Sequence, residues 1–155
     1  MKGFTLIELL IVIGIALILA TASIPIYGFF QVQAQLNETS AQLVQNLRIV
    51  RENAVAGYND SAAGIYFDIN VGNDSYIIYQ GSSYALREVA YDRIFLLDSV
   101  LNLVNIDFSL SGVDIDINFS KGLGRPNNIG SLDITHDVQG TQMITINSLG
   151  MVEEE

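Results

Sequence analysis

Between Leu9 and Phe30 the chain carries 22 consecutive residues without a charge. A helix of about 20 apolar residues matches the hydrocarbon core of a bilayer, so this run predicts a membrane-length helix. One carboxylate, Glu8, stands immediately before it, and Lys2 is the only base ahead of it. A cleavable secretory signal is the competing reading. The run is too long for the usual apolar region of a signal, and Glu8 falls where such signals carry no acid. The small-x-small triplet Ala20-Thr21-Ala22 lies inside the run rather than at its exit. We read a retained helix whose N-terminus stays in the cytoplasm, on the side of the single lysine. Pro25 removes one helical hydrogen bond and is expected to kink this helix, with Gly14 and Gly28 as further soft points.

Past Phe30 the composition changes while the helical period continues. Leu36, Leu43, Leu47, Val50 and Ala54 follow at steps of 7, 4, 3 and 4 and form one apolar stripe. Gln35, Glu38, Gln42, Gln45, Asn46 and Glu52 lie off it. The pattern predicts one helix over about 4–56, apolar all round in its first half and on one side in its second. Gly57-Tyr58-Asn59-Asp60 supplies turn chemistry to end it.

The period then switches to two. Val104, Ile106, Phe108 and Leu110 alternate with polar residues, Ser111-Gly112 offers a two-residue turn, and Val113, Ile115, Ile117 and Phe119 alternate again. This predicts a β-hairpin. Leu132 to Thr135 and Gln142 to Asn147 predict a second hairpin around Asp137 to Gly140, and Ile65 to Ile69, Tyr76 to Gln80 and Leu86 to Leu97 predict further strands. The expected fold is α+β: a long N-terminal α-helix, part transmembrane and part amphipathic, packed on an antiparallel β-sheet head of six or more strands.

From Gly57 onward there are 14 acids and 4 bases, so the net charge of −10 belongs to the head. An acidic head repels phosphate backbones and anionic lipid, which argues against nucleic acid as a partner. The absence of cysteine excludes disulfides and thiolate chemistry. His136 is the only histidine, read as a surface residue, and no nucleophile elbow accompanies it, so no catalytic residues and no cofactor are assigned. Gly122-Leu123-Gly124-Arg125-Pro126-Asn127 departs from a phosphate loop and reads as a flexible connector. Asp68, Asn70 and Asp74 offer oxygen ligands for calcium but miss the EF-hand spacing; an Asx-rich hairpin loop is the preferred reading. The aromatics in or beside the strands read as core and sheet-face residues, and Glu153-Glu154-Glu155 as a frayed tail.

Gly3 followed by Phe4-Thr5-Leu6-Ile7-Glu8-Leu9-Leu10 resembles the cleavage and methylation signature of type IV prepilins, a family shared by type IV pilins and type II secretion pseudopilins. The resemblance implies a cut between Gly3 and Phe4, N-methylation of Phe4, and Glu8 as fifth residue of the mature chain. It divides the chain into a leader at 1–3, a transmembrane and assembly helix at 4–30, its amphipathic continuation at 31–56 and a β-rich head at 57–155. Pro25 and Gly14 match positions where family helices kink or loosen. The stretch from Leu43 to Val55, the pair Phe119 and Gly122-Leu123-Gly124-Arg125, and the ending Ile144 to Gly150 resemble the pseudopilin H / FimT-like branch, with Val50 departing from its pattern.

The implied function is a filament subunit, not an enzyme: a minor pilin or pseudopilin of a pilus or type II secretion system. Its alternatives are a major pilin and a non-polymerising single-pass anchored binding domain. The implied partners are a prepilin peptidase, other pilin or pseudopilin subunits, an inner-membrane assembly platform and membrane lipid. The implied location is the inner membrane with the head outside, then the filament. DNA capture is a further reading, resting on Lys121 and Arg125. A charged acid at bilayer depth costs about 2.5–3.5 kcal/mol on insertion scales. Cleavage before Phe4 would create an α-amino group, and in a staggered filament the Glu8 of one subunit meets the Phe4 amine of another. Such a pair sets register more than raw stability.

Overall fold

A computed structural model describes residues 3–69, 72–108 and 115–154, without the side chains of 22–26. Helix α1 runs Leu6–Ala56, 51 residues, or roughly 75 Å. It ends where the sequence places turn chemistry. Gly57 adopts φ 63, and its N–H donates back to the carbonyls of Ala54 and Asn53. Glycine enters this left-handed cap without a Cβ clash.

Among the described residues eight strands follow: β1 Ala63–Asp68, β2 Ser75–Gln80, β3 Arg93–Leu96, β4 Leu101–Asp107, β5 Asp116–Phe119, β6 Gly130–His136, β7 Thr141–Ile146 and β8 Val152–Glu154. They form two four-stranded sheets, ordered β3-β2-β1-β5 and β4-β6-β7-β8, with every pair antiparallel. The α+β expectation holds: a long helix packs on antiparallel sheets. All five stripe residues, Leu36, Leu43, Leu47, Val50 and Ala54, are buried, and one apolar cluster joins them to Ile65, Phe67, Ile117, Phe119, Leu132, Ile134 and Ile144 of both sheets. The second expected hairpin is β6–β7.

The first expected hairpin does not form. Its turn, with Leu110, Ser111, Gly112 and Val113, lies outside the described residues, and its two arms join different sheets. β4 pairs with β6, and β5 pairs with β1. Alternation identifies a strand, not its partner: Ile117 and Phe119 bury fully beside Ile65 and Ala63 of β1. Within β4 the register shifts between Val104 and Asp107, with Asn105 at φ 50. This bulge reverses the inward face, so that Leu101 and Leu103 bury before it and Phe108 after it.

Four smaller expectations are corrected. Of Leu86 to Leu97 only Arg93–Leu96 is strand; Tyr84–Leu86 and Val89–Tyr91 are 3-10 turns. Residues 152–154 are not frayed, because Val152 is buried, Glu154 bonds to the Ser40 hydroxyl and Arg48 donates to the Val152 carbonyl at 3.1 Å. His136 is buried rather than exposed: its Nδ1 accepts from Val138 N–H at 3.1 Å, and Nε2 lies 3.2 Å from Gln35 Oε1 on α1. The Gly122–Asn127 loop is not a loose connector. Gly122 N–H donates to Ala54 O at 2.9 Å, and Arg51 Nε reaches Gly124 O at 3.3 Å, so the loop caps the end of α1.

On the face of the first sheet away from α1, Tyr79 lies over Gly64 and donates to Asp116 at 2.6 Å, while Asn118 donates to the Tyr79 oxygen at 3.1 Å. A Cβ on Gly64 would sit 2.4 Å from that oxygen and 2.7 Å from Ile117 O. Gly64→Ala is therefore expected to destabilise the head by about 1–3 kcal/mol, read from urea unfolding. Burial raises the Tyr79 hydroxyl well above the ordinary phenol range, reinforced by its bond to Asp116, and burial also raises Tyr76. A raised folded value adds stability that is complete below the unfolded phenol value of 10.0 and declines above it. Phenolate absorbance on alkaline titration should show Tyr79 ionising with unfolding rather than before it.

Candidate assembly terminus

The N-terminal end of α1 is built by Thr5 and Glu8. Thr5 is the N-cap; Glu8 N–H donates to its hydroxyl at 3.3 Å, and the Glu8 carboxylate accepts from Thr5 N–H at 3.2 Å and from the Thr5 hydroxyl at 3.1 Å. This reciprocal capping box satisfies donors that a helix start otherwise leaves open. The carboxylate also sits at the positive end of the helix dipole. Thr5 has no role in the sequence reading, although T-x-x-E ahead of an apolar run is the capping-box signature.

Gly3 and Phe4 precede the cap in non-helical backbone, and Phe4 is 81% exposed. Beyond it Leu6, Ile7, Leu9, Leu10, Ile11 and Val12 are all exposed. Phe4, Leu9, Val12 and Ile13 line a wholly apolar shallow recess. Such an exposed apolar surface is costly in water.

Among the described residues no helix is long and apolar enough to cross a membrane. The described side chains of the uncharged run stop at Thr21 and resume at Tyr27. Gly14 lies inside α1 with open space around it. The Pro25 side chain falls outside the described residues, so the expected kink at Gly14 and Pro25 remains an expectation.

The other candidates lie apart from this end. Asn70 is outside the described residues. Asp74 is buried and accepts from Leu103 N–H at 2.6 Å, which gives it a place in the fold, and no group of three or more potential metal ligands occurs among the described residues. Lys121 is ion-paired with Asp60, and the bond to Lys121 holds the Asp60 carboxyl below its usual range. Lys121 is thus engaged within the head, while Arg125 is exposed.

Residues 1–24 match the family model described as the prokaryotic N-terminal methylation motif. No curated protein and no solved structure matches the chain. The matched segment contains Gly3, Phe4, the Thr5–Glu8 capping box and the exposed apolar turns after it. This chain therefore carries, at residues 1–24, the prepilin motif of type IV pilins and pseudopilins.

Proposed function

We propose that the protein is the precursor of a filament subunit, a minor pilin or pseudopilin of a type IV pilus-like or type II secretion assembly. A prepilin peptidase cuts between Gly3 and Phe4, and Phe4 becomes N-methylated. The observation that carries this reading is the methylation motif at residues 1–24. The exposed apolar half of α1 supports it, since that surface needs lipid or copies of itself for cover. The helix waits in the inner membrane, with the head outside, and then packs into the filament core on an assembly platform. The head at 57–155 and the amphipathic stretch at 31–56 form the outer body. Gly14 and Pro25 let the helix loosen as it packs.

Glu8 has two states in this scheme. Before assembly the capping box with Thr5 satisfies its carboxylate. In the filament it pairs with the new Phe4 amine of a neighbouring subunit, and low dielectric strengthens that attraction.

Mass measurement of the mature N-terminus tests the processing step; an N-methylated Phe4 is expected, and an intact Met1 in cells with an active prepilin peptidase would count against it. Two variants separate charge pairing from helix capping. Glu8→Ala removes both the charge and the capping acceptor. Glu8→Gln keeps the capping geometry and removes only the charge. Both are expected to be processed and membrane-inserted, and both to be lost from sheared filaments. Normal incorporation of Glu8→Gln would show that capping alone accounts for Glu8.

A further inference from the structure

The two sheets have four edges; among the described residues two are closed by bonds to other parts of the chain, and a third, β8, is only three residues long and partly occupied. On β5 the outward N–H of Asn118 donates to Asn127 Oδ1 at 2.7 Å, its carbonyl accepts from Asn127 N–H at 2.8 Å, and the Asp116 carbonyl accepts from Asn128 at 2.9 Å. On β4 the outward N–H of Leu103 donates to Asp74 and that of Leu101 to Asp98 O, and a bulge follows. On β8 the outward carbonyl of Val152 takes Arg48 from α1.

β3 differs. Leu97 N–H donates to Asp74 O, which sets the ladder phase with β2: Arg93 and Phe95 bond inward, while Ile94 and Leu96 turn their N–H and C=O groups out. No bond from those outward groups to a described residue is present. The side chains of Ile94 and Leu96 are 64% and 73% exposed, and Leu86 and Val89 are exposed nearby. On the helix-facing side, exposed Arg93 and half-buried Phe95 border a groove of about 390 Å³ shared with Asn46, Ile49 and Asn53 of α1. An apolar strand edge left open in this way is a template for another strand.

The other edges bear on what kind of strand it takes. Head-to-tail pairing between copies would have to use β8, which is three residues long, has its Val152 carbonyl taken by Arg48 and presents exposed Glu153 and Glu154. Antiparallel pairing of β3 with β3 of a second copy needs a two-fold axis normal to the sheet. That axis reverses every direction lying in the sheet, so the two α1 helices packed on the sheets would point opposite ways. Copies anchored by the same N-terminal helix point the same way; this step rests on the function proposed above.

We propose that β3 is an acceptor edge for an extended strand lent by a different protein chain. The donor strand is apolar on the side that lies against Ile94 and Leu96. On its other side it carries an acid opposite Arg93, with side chains entering the groove. Main-chain bonds to Ile94 and Leu96 supply affinity, and the two faces supply selectivity.

The test uses the full-length chain in cells that make it with its natural partners. A photoreactive phenylalanine analogue replaces Ile94, and the same analogue at Val138, exposed on the β6–β7 turn, is the control. Irradiation is expected to join position 94, and not 138, to one different polypeptide, with the joined peptide mapping to an extended segment that carries an acid. Leu96→Pro is the blocking change. It removes an N–H that faces outward and leaves the bonds between β3 and β2 in place, as proline at a sheet edge can. Thermal unfolding should confirm that this variant folds, and the crosslink should be lost. Crosslinks joining two copies through position 94, equal crosslinking with Leu96→Pro, or no crosslink in assembled filaments would each overturn the proposal. The mass of the mature N-terminus and the presence of the chain in filaments, measured in the same cells, report separately on the proposed function.

Discussion

The burial of one helical stripe organises this molecule. Leu36, Leu43, Leu47, Val50 and Ala54 enter a single apolar cluster to which both sheets contribute. Both four-stranded sheets turn apolar residues toward that helix, and its stripe would lie in water without them. The polar contacts at the stripe's margins follow from this packing. Ser40 meets Glu154, Gln35 meets His136, and Arg48 and Arg51 reach the carbonyls of Val152, Gly124 and Leu149. These bonds fix the loops and the last strand onto the helix, because buried carbonyls must find donors.

The other end of the same helix obeys the opposite logic. Its apolar residues from Leu6 to Ile13 are each more than half exposed. One helix thus carries a packed interface at its base and an exposed apolar surface at its tip. The capping box gives the Glu8 carboxylate local donors at that tip. Any later partner for Glu8 has to compete with those bonds. The contest stays balanced because each bond to a carboxylate contributes only about 1.5–3 kcal/mol net.

The head manages its sheet edges unevenly. Asn127 and Asn128, Asp74 and Arg48 each occupy outward backbone groups on one edge. These are polar side chains brought from elsewhere in the chain; they close the β4 and β5 edges and occupy part of the short β8 edge. The fourth edge, β3, carries apolar side chains instead.

Wherever the information is local, it was legible in the sequence. The apolar stripe is a 3.6-residue period, the helix end is a glycine that tolerates φ 63, and the β6–β7 hairpin is two alternating runs around a polar turn. The terminus was legible too, because Gly3, Phe4 and Glu8 form a contiguous pattern; Thr5 escaped only because its capping spacing went unused. Strand partnership was not legible. The alternation in Val104 to Phe119 is equally consistent with a hairpin and with strands in two sheets, and core packing places β5 against β1. His136 and residues 152–154 looked like surface because their partners, Gln35, Arg48 and Ser40, lie about a hundred residues away. Sequence by itself determined the helix, its two characters and the motif at its N-terminal end, since neighbours along the chain set those. Only the tertiary structure decided which strands pair and which edge stays open, since those depend on contacts that a one-dimensional period does not encode.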